Sequence, residues 1–369
     1  MKKILSLVLT LSLALSLCAP AMAAQDSMEN FQKVNTYSNQ FRDLQSGYWA
    51  TPVVKLCYEY GFMYGDSPSS FNPQGNLTVA EAIVMADRIH EIYTTGQSTL
   101  TNGEPWYQTY VDYALEQGIV APGDFTDYTA QVTRAQMAYI FCNALPASAL
   151  PGINKITSLP DVNSGTPYAR EIMTLYTAGV LTGNDVYGSF SPNNKIIRAE
   201  AAAILARVAL PAQRQTVTLM KSVQWGSGVV VTVPQTAEAD NSSGAETLLS
   251  VRDRAGAIRA TDYNSAYQGI SITALPLSMM NDLLSQGFAS TGMNLVGAKS
   301  AKVSFGAIQA YRTTGTLSSD QGSADCVVFT YISGSTLQMI ALLAYDNDAV
   351  LQTMANNLKV SGCTATPKL

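Results

Sequence analysis

Two arginines stand at matched places in the chain, each inside a short tetrapeptide that opens an apolar run: Thr133-Arg134-Ala135-Gln136 and Ile197-Arg198-Ala199-Glu200. A third tetrapeptide, Thr78-Val79-Ala80-Glu81, has the same frame without the cation. Thr-x-x-Glu/Gln is a capping box: the Thr oxygen accepts from the third helical N–H, and the Glu or Gln reaches back to the cap's own N–H. Thr78 and Thr133 are therefore expected as caps, with Arg134 and Arg198 in the first turns of their helices. Free N–H groups and the positive end of the helix dipole favour an anion there. An Arg fork beside them adds paired donors that suit a carboxylate. The competing reading is that each Arg pairs with a neighbouring acid.

Other side chains recur around these tetrapeptides. Trp49, Trp106 and Tyr168 open the preceding apolar stretches and could either stack on sugar faces or serve as packing aromatics. Asp43 and Asp161 come before those stretches, suited to bonding sugar hydroxyls or to capping the backbone; the second copy has Leu100 there. Gly65 and Gly183 suit close approach of a ligand or a tight turn.

The elements that carry these residues form a repeat. An aromatic or Pro/Tyr pair begins a helix that stops at a glycine: Gly61, Gly118 or Gly179. A polar loop follows, and the tetrapeptide opens a second helix. Val54 and Cys57, Val111 and Ala114, and Ile172 and Leu175 lie seven and four before the glycine, on one helical face. Three such units bury their faces together around a common axis, so a mainly α domain with approximate threefold symmetry is expected, built on Ala80–Tyr93, Ala135–Leu145 and Ala199–Leu210. The repeats span 41–95, 96–150 and 151–214, after a segment at 24–40.

Phe41-x-Asp43, Trp49-Ala50, Gly61, Phe71-x-Pro73, Phe190-x-Pro192 and the two Arg-bearing tetrapeptides resemble the S-layer homology family. The resemblance implies non-covalent anchoring to a bacterial cell wall, of the Gram-positive type. The implied partner is a secondary wall polymer on peptidoglycan, commonly bearing pyruvyl-ketal sugars, held in grooves between neighbouring units. The site residues implied are those named above.

The chain's ends and composition agree with export. Lys2 and Lys3, the apolar run Ile4 to Leu17 and the small-x-small Ala21-Met22-Ala23 read as a signal segment over 1–23, with Leu17 too bulky before Cys18 for a lipoprotein signal. No later apolar run reaches the roughly 20 residues of a membrane span. Of 369 residues, 47% are hydrophobic and 13% charged, the composition of a folded protein. The net charge is −5, and no basic cluster invites nucleic acid.

From Gln215 the character changes. Strand-like runs at Gln215–Trp225, Val229–Pro234, Gly269–Leu275, Lys302–Ile308, Ala310–Thr316, Ala324–Ile332 and Ser335–Tyr345, with helices at Ser278–Gln286 and Asp348–Leu358, suggest an α+β sandwich over 215–369. Its element order is similar to the PsbP-like proteins. Pro211–Arg214 reads as the boundary, open to proteolysis. Cys57 and Cys142 read as small buried hydrophobes; Cys326 and Cys363 are a candidate pair. The chain's one histidine, His90, lies in the repeats, which excludes Ser-His-Asp and Cys-His centres from the C-terminal half. Its acids are scattered singly, so a structural or partner-binding role is expected, with an unidentified partner, ahead of a carboxylate-based glycan hydrolase. No cofactor or metal is expected; Asp346-Asn347-Asp348 reads as a helix cap.

Overall fold

The computed structural model describes residues 26–360 except 227, 241–245, 291 and 321. The expected signal segment and Cys363 lie outside the described residues. Contacts divide the chain into two compact units. One comprises the chain as far as Gly152, Pro167–Leu181 and Pro192–Gln215; the other comprises Ile153–Thr166, Thr182–Ser191 and Thr216–Leu369.

In the first unit each repeat contributes a pair of helices. These are α1 (Thr51–Glu59) with α2 (Val79–Thr95), α3 (Gln108–Glu116) with α4 (Arg134–Asn143), and α5 (Ala169–Thr177) with α6 (Arg198–Ala209). The first helices end at the three glycines, which take φ of +75°, +71° and +75° at Gly61, Gly118 and Gly179. That left-handed residue lets Phe62, Ile119 and Val180 donate back to Cys57, Ala114 and Leu175, satisfying carbonyls the helix end leaves open. The predicted face is buried: Val54, Cys57, Val111, Ala114, Ile172 and Leu175 are all at most 3% exposed. Cys57 points its thiol at the Ala202 carbonyl, 3.2 Å away.

The repeats are joined in a cycle. The first helix of each packs on the second helix of the one before it: α3 on α2, α5 on α4, and α1 on α6. The backbone repeats the cycle at the start of every second helix. Val79 and Ala80 donate to Ala130 and Tyr128; Arg134 and Ala135 donate to Asn194 and Pro192; Arg198 and Ala199 donate to Gly75 and Pro73. Each helix start is thus bonded by the loop of the next repeat, and the third returns to the first. Ala201, Ala202 and Ala206 of α6 are fully buried, small enough for backbones to approach.

The second unit is α+β. A seven-stranded antiparallel sheet runs in the order β3-β4-β5-β9-β8-β7-β6: β3 (Glu238–Asp240), β4 (Glu246–Ser250), β5 (Ala255–Tyr263), β6 (Asn294–Phe305), β7 (Ile308–Ser319), β8 (Gly322–Ser333) and β9 (Thr336–Ala344). On one face lie a small sheet of β1 (Met220–Gln224), β2 (Val229–Pro234) and β10 (Lys359–Val360), and the helix α8 (Asp348–Asn356). On the other lies α7 (Leu277–Ala289). Alternate residues face the two layers, Val327, Phe329 and Tyr331 one way and Cys326 and Val328 the other. Strands covered on both faces read as unbroken apolar runs, which is why β8 and β9 were visible in the sequence.

Two strand expectations need correction. Lys302–Ile308 begins eight residues into β6 and runs across the turn into β7. Gly269–Leu275 is not a strand but a pair of short 3-10 turns flanking Gly269, Ser265–Tyr267 and Ile272–Ala274, and Leu275 then meets Pro276, which cannot donate to a ladder. Conversely β4 and the nine-residue β5 were missed, because β5 opens on Ala255-Gly256-Ala257, poor in the large branched residues that mark strands. The small residues have a packing reason: a Cβ on Gly256 would lie 2.4 Å from the Leu248 carbonyl oxygen of β4.

Candidate functional site

A groove of about 390 Å³ opens in the first unit, walled by the loop Met63-Tyr64-Gly65-Asp66, one side of α2 (Glu81, Val84, Met85, Arg88), the approach to α3 (Asn102, Trp106) and Arg198. Repeats one and two form its walls, and repeat three supplies one cation. The cyclic pairing of loops explains this: Arg198 begins α6, whose start is bonded to Pro73 and Gly75 of repeat one.

Arg198 is only 6% exposed. Its Nε donates to the Phe71 carbonyl at 2.9 Å and one terminal nitrogen to the Tyr64 carbonyl at 2.7 Å. Asp66 is 3.3 Å from Nε, Glu81 is 3.7 Å from the other terminal nitrogen, and the guanidinium lies 5.0 Å from the Phe71 ring centre. This fork therefore clamps the first repeat to the third while its outer edge lines the groove. Arg134 is buried as well, with Nη1 3.3 Å from Glu200 of repeat three. Both cations pair with a glutamate at the third position of another repeat's second helix. At the remaining junction Val79 stands in the cation's place, and the third position there holds uncharged Gln136.

The helix starts do not present the free N–H groups expected from sequence. The first two N–H groups of each second helix bond to the neighbouring loop, and those of Glu81 and Gln136 bond to the Thr78 and Thr133 oxygens. Sequence spacing shows the Thr caps but not the first two bonds, whose acceptors come from another repeat. Thr78 and Thr133 form complete capping boxes, and Ile197 makes no side-chain cap.

The groove's open cation is Arg88, which sequence reasoning missed. Its guanidinium lies 4.9 Å from the centre of the Tyr64 ring, and no described acid lies within ion-pair distance of it. A signal was present: α6 carries Arg207 at the same distance past its own tetrapeptide. Tyr64 and Trp106 are each 42% exposed, flat faces available to a ring.

The other expected residues are dispersed. Asp43 accepts from Ser70 Oγ and from the Phe71 and Asn72 N–H groups, and Asp161 accepts from the Phe190 and Ser191 N–H groups, so both hold the Phe-x-Pro loops. Burial alone would raise the Asp43 carboxyl, but those donors outweigh it and hold it below the ordinary value. Gly65 lines the groove, yet its size answers to its own loop: a Cβ there would lie 2.4 Å from the Ser70 carbonyl oxygen and 2.5 Å from Ser67's. Gly183 takes φ of +83°, a turn position. Trp49 is 56% exposed beside Tyr48, away from this groove. Tyr168 caps α5 as Tyr107 caps α3, so Pro167 is the helical counterpart of Trp106. His90 is half-buried, with Nδ1 2.8 Å from the Tyr113 hydroxyl.

Comparison with known proteins matches two of the three repeats read from the sequence. Residues 40–83 and 158–202 match the S-layer homology domain; the second repeat lies outside both spans. The chain is 23% identical over 205 residues to a surface-layer 125 kDa protein of Lysinibacillus sphaericus, covering 54% of this chain and 16% of that one. It is 27% identical over 217 residues to an endoglucanase of Bacillus sp. (strain KSM-635), covering 56% and 22%. An amylopullulanase of Thermoanaerobacterium thermosulfurigenes is 28% identical over 176 residues, covering 46% and 9%. The chain thus spans less than a quarter of these relatives' lengths. A solved cyanobacterial PsbP from Synechocystis sp. PCC 6803 overlaps 38% of the chain and 92% of its own at 10% identity, but a TM-score of 0.31 carries no argument about the fold. The chain thus carries two stretches, 40–83 and 158–202, that match the S-layer homology domain.

Proposed function

We propose that the protein is held non-covalently at the bacterial surface by its three repeats, which bind an acidic secondary polymer of the cell wall. The repeats form a ring of approximate threefold symmetry on their second helices, and the polymer lies in the groove between repeats one and two. The observation that carries this is the convergence in one groove of two guanidinium groups, Arg198 and Arg88, with two open aromatic faces, Trp106 and Tyr64. A pyruvyl-ketal sugar offers one carboxylate on a ring with an apolar face. The guanidinium takes the carboxylate in charge-assisted hydrogen bonds and the aromatic takes the ring. Arg198 is pre-set by its carbonyl partners, so little side-chain entropy is lost when a ligand binds.

The C-terminal unit is displayed by this anchor as a structural or binding surface, not as a hydrolase. Four of its acids serve the fold: Asp253 accepts from Thr218, Thr236 and Ser250, Asp325 from Thr316, Asp262 from Tyr267, and Glu246 pairs with Arg259.

Co-sedimentation of the protein with purified sacculi tests the anchor. Binding should be lost when the secondary polymer is stripped, and should fall about tenfold in Arg88→Ala, the loss expected for one charge-assisted bond of roughly 1.5 kcal/mol. Trp106→Ala should weaken it similarly. Equal sedimentation of both variants and of the parent on stripped walls would remove the groove from the account.

A further inference from the structure

The three junctions of a cyclic repeat invite three equal grooves, and the described side chains contradict this at the junction of repeats two and three. Val79 stands there as Arg198 stands at the first groove. Its N–H donates to Ala130, and Thr78 pairs with Gln131, just as Arg198 donates to Gly75 and Ile197 pairs with Asn76. Pro167 takes the helical place of Trp106. Asn143, seven past Gln136, takes the place of Arg88 and donates its amide to the Ile119 carbonyl at 3.2 Å. The larger change is at the place of Val84, three residues past the glutamate of its tetrapeptide. Three past Gln136 stands Tyr139, whose ring lies against Tyr168 with centroids 4.5 Å apart and planes 22° from parallel. Its hydroxyl donates to Asp124 Oδ2 at 2.5 Å, and the Ala121 N–H fixes that carboxylate at 2.7 Å. Tyr168 has φ of +59°, a conformation that bulky residues adopt only where packing holds them.

We propose that Tyr139, stacked on Tyr168 and tied to Asp124, shuts the counterpart groove between repeats two and three, so that an acidic sugar enters at repeats one and two but not there. This rests on the sugar-binding reading above. A ring pair at stacking distance fills the space a sugar would need, and the places that hold Arg198 and Arg88 at the first groove hold Val79 and Asn143 here. Opening it requires both deletions to be reversed, with Val in place of Tyr139 and Arg in place of Val79.

The experiment is calorimetric titration of the intact protein with a pyruvyl-ketal disaccharide, alongside Tyr139→Phe, Tyr139→Val and Tyr139→Val/Val79→Arg, each checked for parental circular dichroism. The double variant should gain one site over the parent. Tyr139→Val alone should gain at most a site more than tenfold weaker, and Tyr139→Phe, which keeps the stack, should match the parent. A folded double variant with the parent's stoichiometry would overturn the proposal, as would a Tyr139→Phe variant that loses a site. Nitration by tetranitromethane, read by peptide mapping, decides the matter without any ligand: Tyr139 and Tyr168 should react more slowly than Tyr64, and equal reactivity would show the stack to be open. A parent that takes up no disaccharide, with Tyr139 and Tyr168 still slow to nitrate, would sink the sugar-binding reading and leave the shut junction standing.

Discussion

At the residue scale the least expected group is Asp87 on α2. Its side chain is fully buried, and neither carboxylate oxygen has a hydrogen-bond partner. Glu91, one turn on, is buried too, but it accepts from the Thr99 hydroxyl and from the Thr99 and Leu100 N–H groups. Burial, then the nearby charge of Glu91, pushes the Asp87 carboxyl up to about 8, with Arg88 opposing. The folded protein therefore keeps a proton there that the unfolded chain releases near its ordinary 3.8. Between these two values the folded state binds more protons than the unfolded one, so stability falls as pH rises, by up to roughly 1.4 kcal/mol per pH unit, and levels off above about 8. Asp87→Asn removes this slope. Its melting temperature relative to the parent should rise steadily from pH 5 to pH 8, and parallel melting curves across that range would refute the burial account.

At the element scale the second helices differ in how their starts are satisfied. Thr78 and Thr133 accept from the third N–H of their helices, whereas Ile197 offers no acceptor. Ile197→Thr would complete a capping box with Glu200 and should stabilise the protein by about 1 kcal/mol, read as a shift in urea midpoint. An unchanged midpoint would mean that the neighbouring loop already satisfies the helix end. Arg198→Ala should do the opposite and cost roughly 2–4 kcal/mol, because it strands two carbonyls and the charges of Asp66 and Glu81. Arg88→Ala, at a residue without such partners, should leave the midpoint nearly unmoved. That contrast separates the cation that builds the groove from the one that faces it.

At the scale of the whole molecule, the chain passes between its two units more than once, with 153–166 and 182–191 both assigned to the second. Within that unit Asn154 accepts from the Val217 N–H, the buried Gln235 side chain bonds Thr157 and Ser158, and the Tyr187 hydroxyl lies 3.4 Å from that of Thr232. A protease cut between Pro211 and Gln215 should therefore give two fragments that co-elute on gel filtration and part only in denaturant. Fragments that separate in native buffer would show that 216–369 folds without those segments. Arg214 should also slow the cut itself, because its guanidinium donates to the carbonyls of Ala149, Arg207 and Val208.

Periodicity and turn chemistry are local, and the chain alone settled what depends on them: three helix pairs, the glycine stops, two capping boxes, the change of character after Leu210, and the strands buried on both faces. The groove was legible only in pieces, as Trp106, Gly65 and Arg198, at positions up to 133 apart in sequence. Tertiary structure alone decided that these meet, that Arg198 serves a groove walled by two other repeats, and that Arg88 is its open cation. The reason is the cyclic pairing, in which every second helix takes its first two backbone acceptors from the loop of another repeat. An acceptor supplied across a repeat boundary leaves no spacing signal in the chain. The same holds for Tyr139 and Tyr168, unremarkable in sequence until the fold lays one ring on the other.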